Sequence, residues 1–213
     1  MTSGIDWNQS GSRKRNEVDS EVEMEKNNNP IEYILSKKLT SKPGEMFNYC
    51  SGNTVLLGKI VEIASGIHLD RFMQRHLFGP LDIKEYKWWN IAKEVYWTHA
   101  GLQMKPVDML KIGQVLLNNG IFKGERILSK EWLEKLKTPS KINKEYALHW
   151  WLANHKIGNR KINSYFAAGN GGQRIFVIPG LNLTVVFTAG NYHSPLQTQP
   201  NEILEKEILP KSI

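Results

Sequence analysis

Two hydroxyl-bearing residues stand two positions apart in the segment 43–54, just before a helical pattern. Tyr49 and Ser51 could project two hydroxyls into one cleft, where a tyrosine could act as a general base. A tyrosine acts as a base near neutral pH only if nearby cations lower its pKa well below ~10. The residues themselves leave a structural alternative open, which is a core tyrosine followed by a helix N-cap.

A second candidate is the glycine-rich segment 166–173, at the predicted edge of a strand. Glycines let a substrate approach the backbone, and N–H groups there could stabilise an oxyanion. The residues concerned are Ala168, Gly169, Asn170 and Gly171. An ordinary glycine-rich hairpin turn is the alternative.

The other reactive residues are weaker candidates for a functional site. Cys50 could be a thiol nucleophile, but a small buried hydrophobe is the favoured interpretation. The six histidines show neither H-x-x-x-H nor H-E-x-x-H spacing, so no metal site and no cofactor are expected. The pairs 88–89 and 150–151 are tryptophans that could line an apolar pocket or pack in the core.

The elements that must position these residues change along the chain. Polar residues 1–30 indicate a loop, and residues 31–145 are expected to be mainly helical. Helices are predicted over 31–36, 54–64, 69–77, 106–118 and 129–136. From 146 onward, short aromatic and β-branched runs predict antiparallel strands at 146–153, 164–168, 173–178 and 183–188, with a helix over 202–209. The order indicates an α+β fold, an antiparallel sheet flanked by helices.

Composition narrows the class of protein. The 213 residues are 40% hydrophobic, which is typical of a globular chain. The formal net charge is +7, yet the lysines are scattered, and the run Arg13–Arg15 is followed at once by acidic residues. Nucleic-acid binding is therefore not expected. No apolar run reaches the ~18 residues of a membrane span, and residues 1–7 lack the basic and apolar regions of a signal peptide, so the sequence as written predicts a soluble, cytoplasmic protein.

Five segments in order resemble the serine β-lactamase and penicillin-binding-protein-like hydrolases. The most similar branch contains the class C β-lactamase-like esterases and the 6-aminohexanoate-dimer hydrolases. The segments are 1–7 (like "MTSGLDW"), 43–53 (like "PG…F.Y.S.N"), 56–66 (like "LLG.IIE..SG"), 99–108 (like "AGGL….DM") and 165–173 (the last motif strand). The resemblance covers nearly all of the chain and implies a DD-peptidase/β-lactamase-like fold.

The resemblance also implies residue roles. The family transfers acyl groups with an S-x-x-K motif, a Tyr-x-Asn or Ser-x-Asn motif and a K-T-G motif on an edge strand. Tyr49 matches the tyrosine of the second motif and Ser51 its third position. Segment 167–169 matches the third motif, and the Asn170 N–H would be an oxyanion donor. Because a strict K-T-G is absent, ester or amide hydrolysis is favoured over β-lactamase work.

The S-x-x-K motif does not occur among the 213 residues. Thr138 and Lys141 have the spacing, but they lie in a predicted turn after a helix. The resemblance places the motif upstream of Met1, which predicts an incomplete hydrolase domain over 1–213, truncated at its N-terminus and inactive alone. The parent would act on a small ester, amide or peptide-like substrate and could be exported. The partner would be a missing N-terminal segment or a second copy of the chain, and the alternative function is non-catalytic ligand or peptidoglycan binding.

Overall fold

The computed structural model describes residues 1–9 and 18–212, and the basic run Arg13–Arg15 lies outside them. The chain forms two compact units. The first contains Met1–Gly79 and Lys84–Gln103, and the second contains Pro80–Ile83 and Met104–Ile213. Among the described residues, no helix combines the length and apolar character that crossing a bilayer requires. Helices together with antiparallel strands confirm the predicted α+β class.

The first unit contains four helices and short strands. The helices are α1 (Ser20–Lys26), α2 (Pro30–Leu35), α3 (Ser51–Ser65) and α4 (Leu69–Met73), the last continued by a π-helical turn over Gln74–Phe78. The strands are β1 (Tyr86–Trp88), β2 (Asn90–Ala92), β3 (Val95–Tyr96) and β4 (Leu102–Met104). These short strands lie within the region 31–145 that is predicted to be mainly helical, and runs of two or three residues are too short to show a period.

Helix α1 corrects the prediction that residues 1–30 form a loop. Asp19 caps the helix, because its carboxylate accepts hydrogen bonds from the N–H groups of Glu21 and Val22 at 2.9 and 3.2 Å. Met24 is fully buried in a cluster with Trp7. A seven-residue helix with so few apolar residues has no readable periodicity, and the tertiary burial of Met24 stabilises it.

Helix α3 is the predicted central helix of this unit, and it begins three residues earlier than expected. It ends at Gly66, whose φ of 70° is the left-handed conformation that glycine adopts without strain. Two glycines allow close packing. A Cβ at Gly52 would lie 2.9 Å from the Trp7 ring, and one at Gly58 would lie 2.6 Å from Thr98 Cγ2.

The second unit is built on the predicted antiparallel sheet. The strands are β7 (Tyr146–Ala147), β8 (Trp150–Ile157), β9 (Arg160–Gly169), β10 (Gln173–Ile178) and β11 (Leu183–Phe187), and they pair in sequence order. The predicted connection over 155–159 is shorter than expected, because β8 and β9 pair as far as Ile157 and Arg160. A two-stranded hairpin of β5 (Ile121–Phe122) and β6 (Glu125–Arg126) completes the strands.

Helices cover this sheet. They are α5 (Pro106–Leu117), α6 (Lys130–Lys137) and α7 (Gln199–Ile203), the last continued by a π-helical turn over Leu204–Ile208. Gly113 brings α5 against the sheet, since a Cβ there would overlap Thr184 and lie 2.9 Å from Ile175 Cγ2. Tyr165 of β9 donates a hydrogen bond to the Leu116 carbonyl at 3.2 Å. The helices therefore fix the central strand that carries the glycine-rich segment.

Candidate active site

The segment before α3 is tied to the start of the chain. Asn48 donates its side-chain amide to the Trp7 carbonyl at 2.8 Å and its backbone N–H to the Met1 carbonyl at 2.9 Å. Two segments that the sequence places more than forty residues apart thus lie together. This contact positions Tyr49 at the N-terminal end of α3.

Tyr49 is 38% exposed, so its phenol is partly accessible to solvent. Burial, followed by the nearby charge of Glu21, raises the pKa of Tyr49 above its ordinary value. The phenol is therefore protonated at neutral pH. Among the described residues Tyr49 lacks the cation-lowered pKa that a general base requires.

Ser51 differs from Tyr49 in exposure. Its residue is 1% exposed, and its Oγ has no hydrogen-bond partner within the described part of the chain. Its N–H donates to Gln9 Oε1 at 2.8 Å. Cys50, not Ser51, occupies the N-cap position and makes no side-chain cap. The Tyr49 residue is thus partly exposed whereas Ser51 is buried, and a catalytic role for Ser51 stays a prediction.

Cys50 is a core residue. It is 1% exposed and packs in a cluster with Trp7, Met24, Ile34 and Val55. Burial raises the pKa of the Cys50 thiol, which keeps it protonated and poorly nucleophilic. The interpretation as a small buried hydrophobe fits this environment.

The glycine-rich segment lies at the end of strand β9, where the sequence predicts a strand edge. Strand β9 lies between β8 and β10. The pairing with β8 stops at Trp151 and Phe166, whereas the pairing with β10 continues to Gly169. Within the described ranges, the last residues of β9 therefore pair with a strand on one side only, and they form a local edge within a central strand. Pairing alone decides this, and the sequence pattern does not encode it.

The turn after β9 has its own hydrogen bonds. Ala168, Gly169 and Asn170 are exposed, whereas Gly171 is buried. The Asn170 side chain accepts the Gly171 N–H at 2.8 Å, so that N–H is already bonded and cannot serve an oxyanion. Gly171 has a φ of 77°, and a Cβ there would lie 2.7 Å from the Tyr192 ring. Gly171 thus shapes the turn, and the exposed Asn170 remains the candidate donor.

Arg174 stabilises this turn through hydrogen bonds to its backbone. The residue is 8% exposed, and its guanidinium donates hydrogen bonds to the carbonyls of Gly169 and Gln173 at 3.0 and 2.8 Å. It also bonds Asn201 Oδ1 and the Gln197 carbonyl, each at 3.2 Å. Burial lowers the pKa of Arg174 from its ordinary value. The fixed carbonyl of Gly169 sets the backbone direction at the end of β9.

A hydrogen-bonded series of a serine, a histidine and a glutamate lies in the second unit, and the sequence spacing did not predict it. His155 Nε2 lies 2.7 Å from Ser164 Oγ, and its Nδ1 lies 2.9 Å from Glu205 Oε1. These distances match the order of a hydrolase triad. Ser164 is only 3% exposed, however, so a substrate carbonyl cannot reach its Oγ. The chain of contacts links α7 and its extension to the sheet.

The tryptophan pairs are partly packed against other aromatic residues. Trp150 meets Tyr165 edge-on at 6.0 Å between ring centroids, and Trp151 meets Tyr146 at 4.9 Å. Trp88 donates to the Trp97 carbonyl at 3.1 Å, while Trp89 is 44% exposed beneath the Lys87 ammonium. Core packing accounts for the 150–151 pair.

One group of side chains could hold a metal ion. Ligand atoms of Glu21, Glu25 and His99 all lie within 4.8 Å of one another. The sequence spacing gave no sign of this group.

The family model for Beta-lactamase matches residues 1–206. The chain belongs to the Beta-lactamase family. It is 22% identical over 169 residues to the 6-aminohexanoate-dimer hydrolase of Paenarthrobacter ureafaciens, a match that covers 73% of this chain and 42% of that enzyme. The chain spans about half the length of the curated relatives it matches, 42% and 52% of the two.

Solved structures of this family share the fold. The "Putative 6-aminohexanoate-dimer hydrolase from Bacillus anthracis" superposes with a TM-score of 0.77 at 20% identity, covering 93% of this chain and 56% of that chain. A penicillin-binding protein from Bacillus halodurans superposes with a TM-score of 0.63 at 17% identity, covering 94% and 70%. The predicted β-lactamase-like and penicillin-binding-protein-like fold is thereby confirmed.

Proposed function

We propose that this chain carries the second and third motifs of a serine hydrolase that cleaves an ester or amide through an acyl-enzyme. The observation that supports this most is the half-exposed Tyr49 at the start of α3, at the position that the second-motif tyrosine occupies by resemblance. The nucleophile would come from an S-x-x-K segment, which the 213 residues do not contain. The substrate class is a small ester, amide or peptide-like molecule, in keeping with the names of the relatives.

The raised pKa of Tyr49 is consistent with a nucleophile and a cation that come from another segment. Burial and the nearby carboxylate of Glu21 raise this pKa, so the phenol stays neutral. The lysine of an S-x-x-K segment would supply the positive charge that lowers the pKa of Tyr49 toward the working range of a general base. The 213 residues alone would then lack both the nucleophile and the cation, and we expect them to form no acyl-enzyme.

Hydrolysis of p-nitrophenyl acetate tests the proposal. The 213-residue chain is compared with a longer protein that carries an in-frame S-x-x-K segment from the native locus. We expect turnover only in the longer protein, lowered about 10²–10⁴-fold by Tyr49→Phe. Tyr33→Phe is the matched control, since Tyr33 packs against Trp7 in the same unit. Robust turnover by the 213 residues that Tyr49→Phe abolishes would overturn the proposal.

A second candidate function is non-catalytic binding of a peptide. The open side of Ala168 and Gly169 supports it, because an extended peptide can pair with a strand end that lacks a neighbour. Titration calorimetry with a peptidoglycan-derived peptide would then show saturable binding without turnover. Gly169→Val should weaken it and Gly180→Val should not, because a Cβ at Gly180 meets no atom within 4 Å. Equal binding by both variants would contradict this candidate.

A further inference from the structure

Three ligand-type side chains converge in the first unit, and none of them belongs to the motifs assigned to acyl transfer. His99 Nε2 lies 3.2 Å from Glu21 Oε1 and 3.3 Å from Glu25 Oε1. The two glutamates are one helical turn apart on α1, so both carboxylates reach the same side of that helix. His99 comes from the loop after β3, 74 residues from Glu25.

The hydrogen bonds around His99 are in conflict. The indole N–H of Trp97, which can only donate, lies 2.7 Å from Nε2. Nε2 therefore accepts that bond and carries no proton, yet it faces two carboxylate oxygens that are also electron-rich. The proton of the neutral ring then sits on Nδ1, which is buried and has no hydrogen-bond partner among the described residues. The Nε2 lone pair faces the Trp97 N–H, and the two carboxylates beside it receive no proton from the imidazole ring.

A simple ion pair does not resolve this conflict. An imidazolium would place an N–H on Nε2 against the Trp97 N–H, and it would leave a second N–H on Nδ1 without an acceptor within the described ranges. The His99 side chain is only 5% exposed, so water does not compensate freely. A cation at the convergence point would be coordinated by Nε2 and both carboxylates together, in place of the hydrogen bond from the Trp97 N–H.

We propose that His99, Glu21 and Glu25 bind a divalent cation of the zinc type. Imidazole nitrogen with carboxylate oxygen suits Zn²⁺ among common divalent ions. In a tetrahedral site with bonds of about 2.0–2.1 Å, neighbouring ligand atoms lie about 3.3 Å apart. The distances from Nε2 to the two carboxylates, 3.2 and 3.3 Å, match that edge length.

The outer contacts orient the ligands. Gln9 donates to Glu21 Oε2 at 2.9 Å and leaves Oε1 directed at His99. The direction of the Gln9 amide is itself fixed, because its oxygen accepts the Trp7 indole N–H at 2.9 Å and the Ser51 N–H at 2.8 Å. Such outer hydrogen bonds hold metal-binding carboxylates in place. The ion would tie α1 to the loop after β3, and Gln9 would link it to the start of α3.

The site has room for exchange with solvent. The side chains of Glu21 and Glu25 are 28% and 32% exposed, whereas that of His99 is buried. A fourth position can therefore be taken by water, as in zinc sites with three protein ligands. The two proposals share Glu21, but metal binding is measured without acyl transfer, so either proposal can fail alone.

Titration of the chelator-treated chain with Zn²⁺, and with Co²⁺ as a spectroscopic probe, tests the site. We expect one equivalent to bind, with visible Co²⁺ bands typical of a tetrahedral site and a change in tryptophan fluorescence from Trp97. Glu25→Gln should weaken binding about tenfold or more, and His99→Gln should abolish the bands.

Two control variants address other acidic and histidine groups. Glu23→Gln alters the same helix, but Glu23 pairs with Lys26. His68→Gln removes an exposed histidine beside Glu62. Both should bind as the original chain does. If His99→Gln fails to fold, the rise in the thermal midpoint on adding Zn²⁺ to the original chain, smaller in Glu25→Gln, gives the same answer. No binding in molar excess of Zn²⁺, or equal binding by a Glu21→Gln/Glu25→Gln chain, would overturn the proposal.

Discussion

Gly113→Ala isolates the contact between α5 and the sheet. The new Cβ would overlap Thr184 Cγ2 and lie 2.9 Å from Ile175 Cγ2, where carbon atoms prefer about 3.5–4.0 Å. Both neighbours are β-branched residues on paired strands, so neither rotates away easily. Overpacking costs about 1–3 kcal/mol, and the upper part of that range applies here. Replacing glycine by alanine inside a helix stabilises the helix by ~1 kcal/mol, which offsets part of this cost.

The expected net loss is about 1–2 kcal/mol of unfolding free energy, or about 2–8 °C in the thermal midpoint for a chain of this size. Urea and thermal unfolding followed by circular dichroism measure it. Gly180→Ala is the control, because its Cβ meets no atom within 4 Å. Thr184→Ser removes the clashing methyl, so Gly113→Ala should cost less in that background. An unchanged midpoint, or an equal cost in both backgrounds, would refute the packing argument.

Three further variants or titrations test other parts of the structure. Gly66→Ala should cost about 1–2 kcal/mol because Gly66 has a φ of 70°, and a smaller loss for Gly66→Asn in thermal unfolding would confirm the conformational cause. Met24→Ala should cost about 2–5 kcal/mol, since Met24 is fully buried; a loss under ~1 kcal/mol would mean that α1 does not pack as described. Burial raises the pKa of Tyr96 and Tyr165 to about 12, above the ~10 of an unfolded tyrosine, so their contribution to stability is complete below pH ~10 and is lost as pH rises through about 12. Tyrosinate absorbance should show two groups that titrate near pH 12, and Tyr165→Phe should leave one; titration of every tyrosine near pH 10 would contradict this.

The sequence by itself determined the elements with a readable period or a turn signal. The apolar spacing within α3 and the glycine after it predicted that helix to within three residues at its start. Short runs of aromatic and β-branched residues predicted the sheet of the second unit, because these residue types pack well on a pleated sheet. The order of five segments predicted the family. These features are local, and short windows of sequence carry them.

Tertiary structure alone decided the rest. Helix α1 forms because Met24 is buried. The end of β9 is unpaired on one side because its pairing with β8 ends at Trp151. His99 and Glu25 meet across 74 residues, and His155 and Glu205 meet across 50. No spacing rule links residues so far apart, because their contact depends on how the chain folds back on itself. The same folding buried Ser51 and left Tyr49 half-exposed, although only one residue separates them.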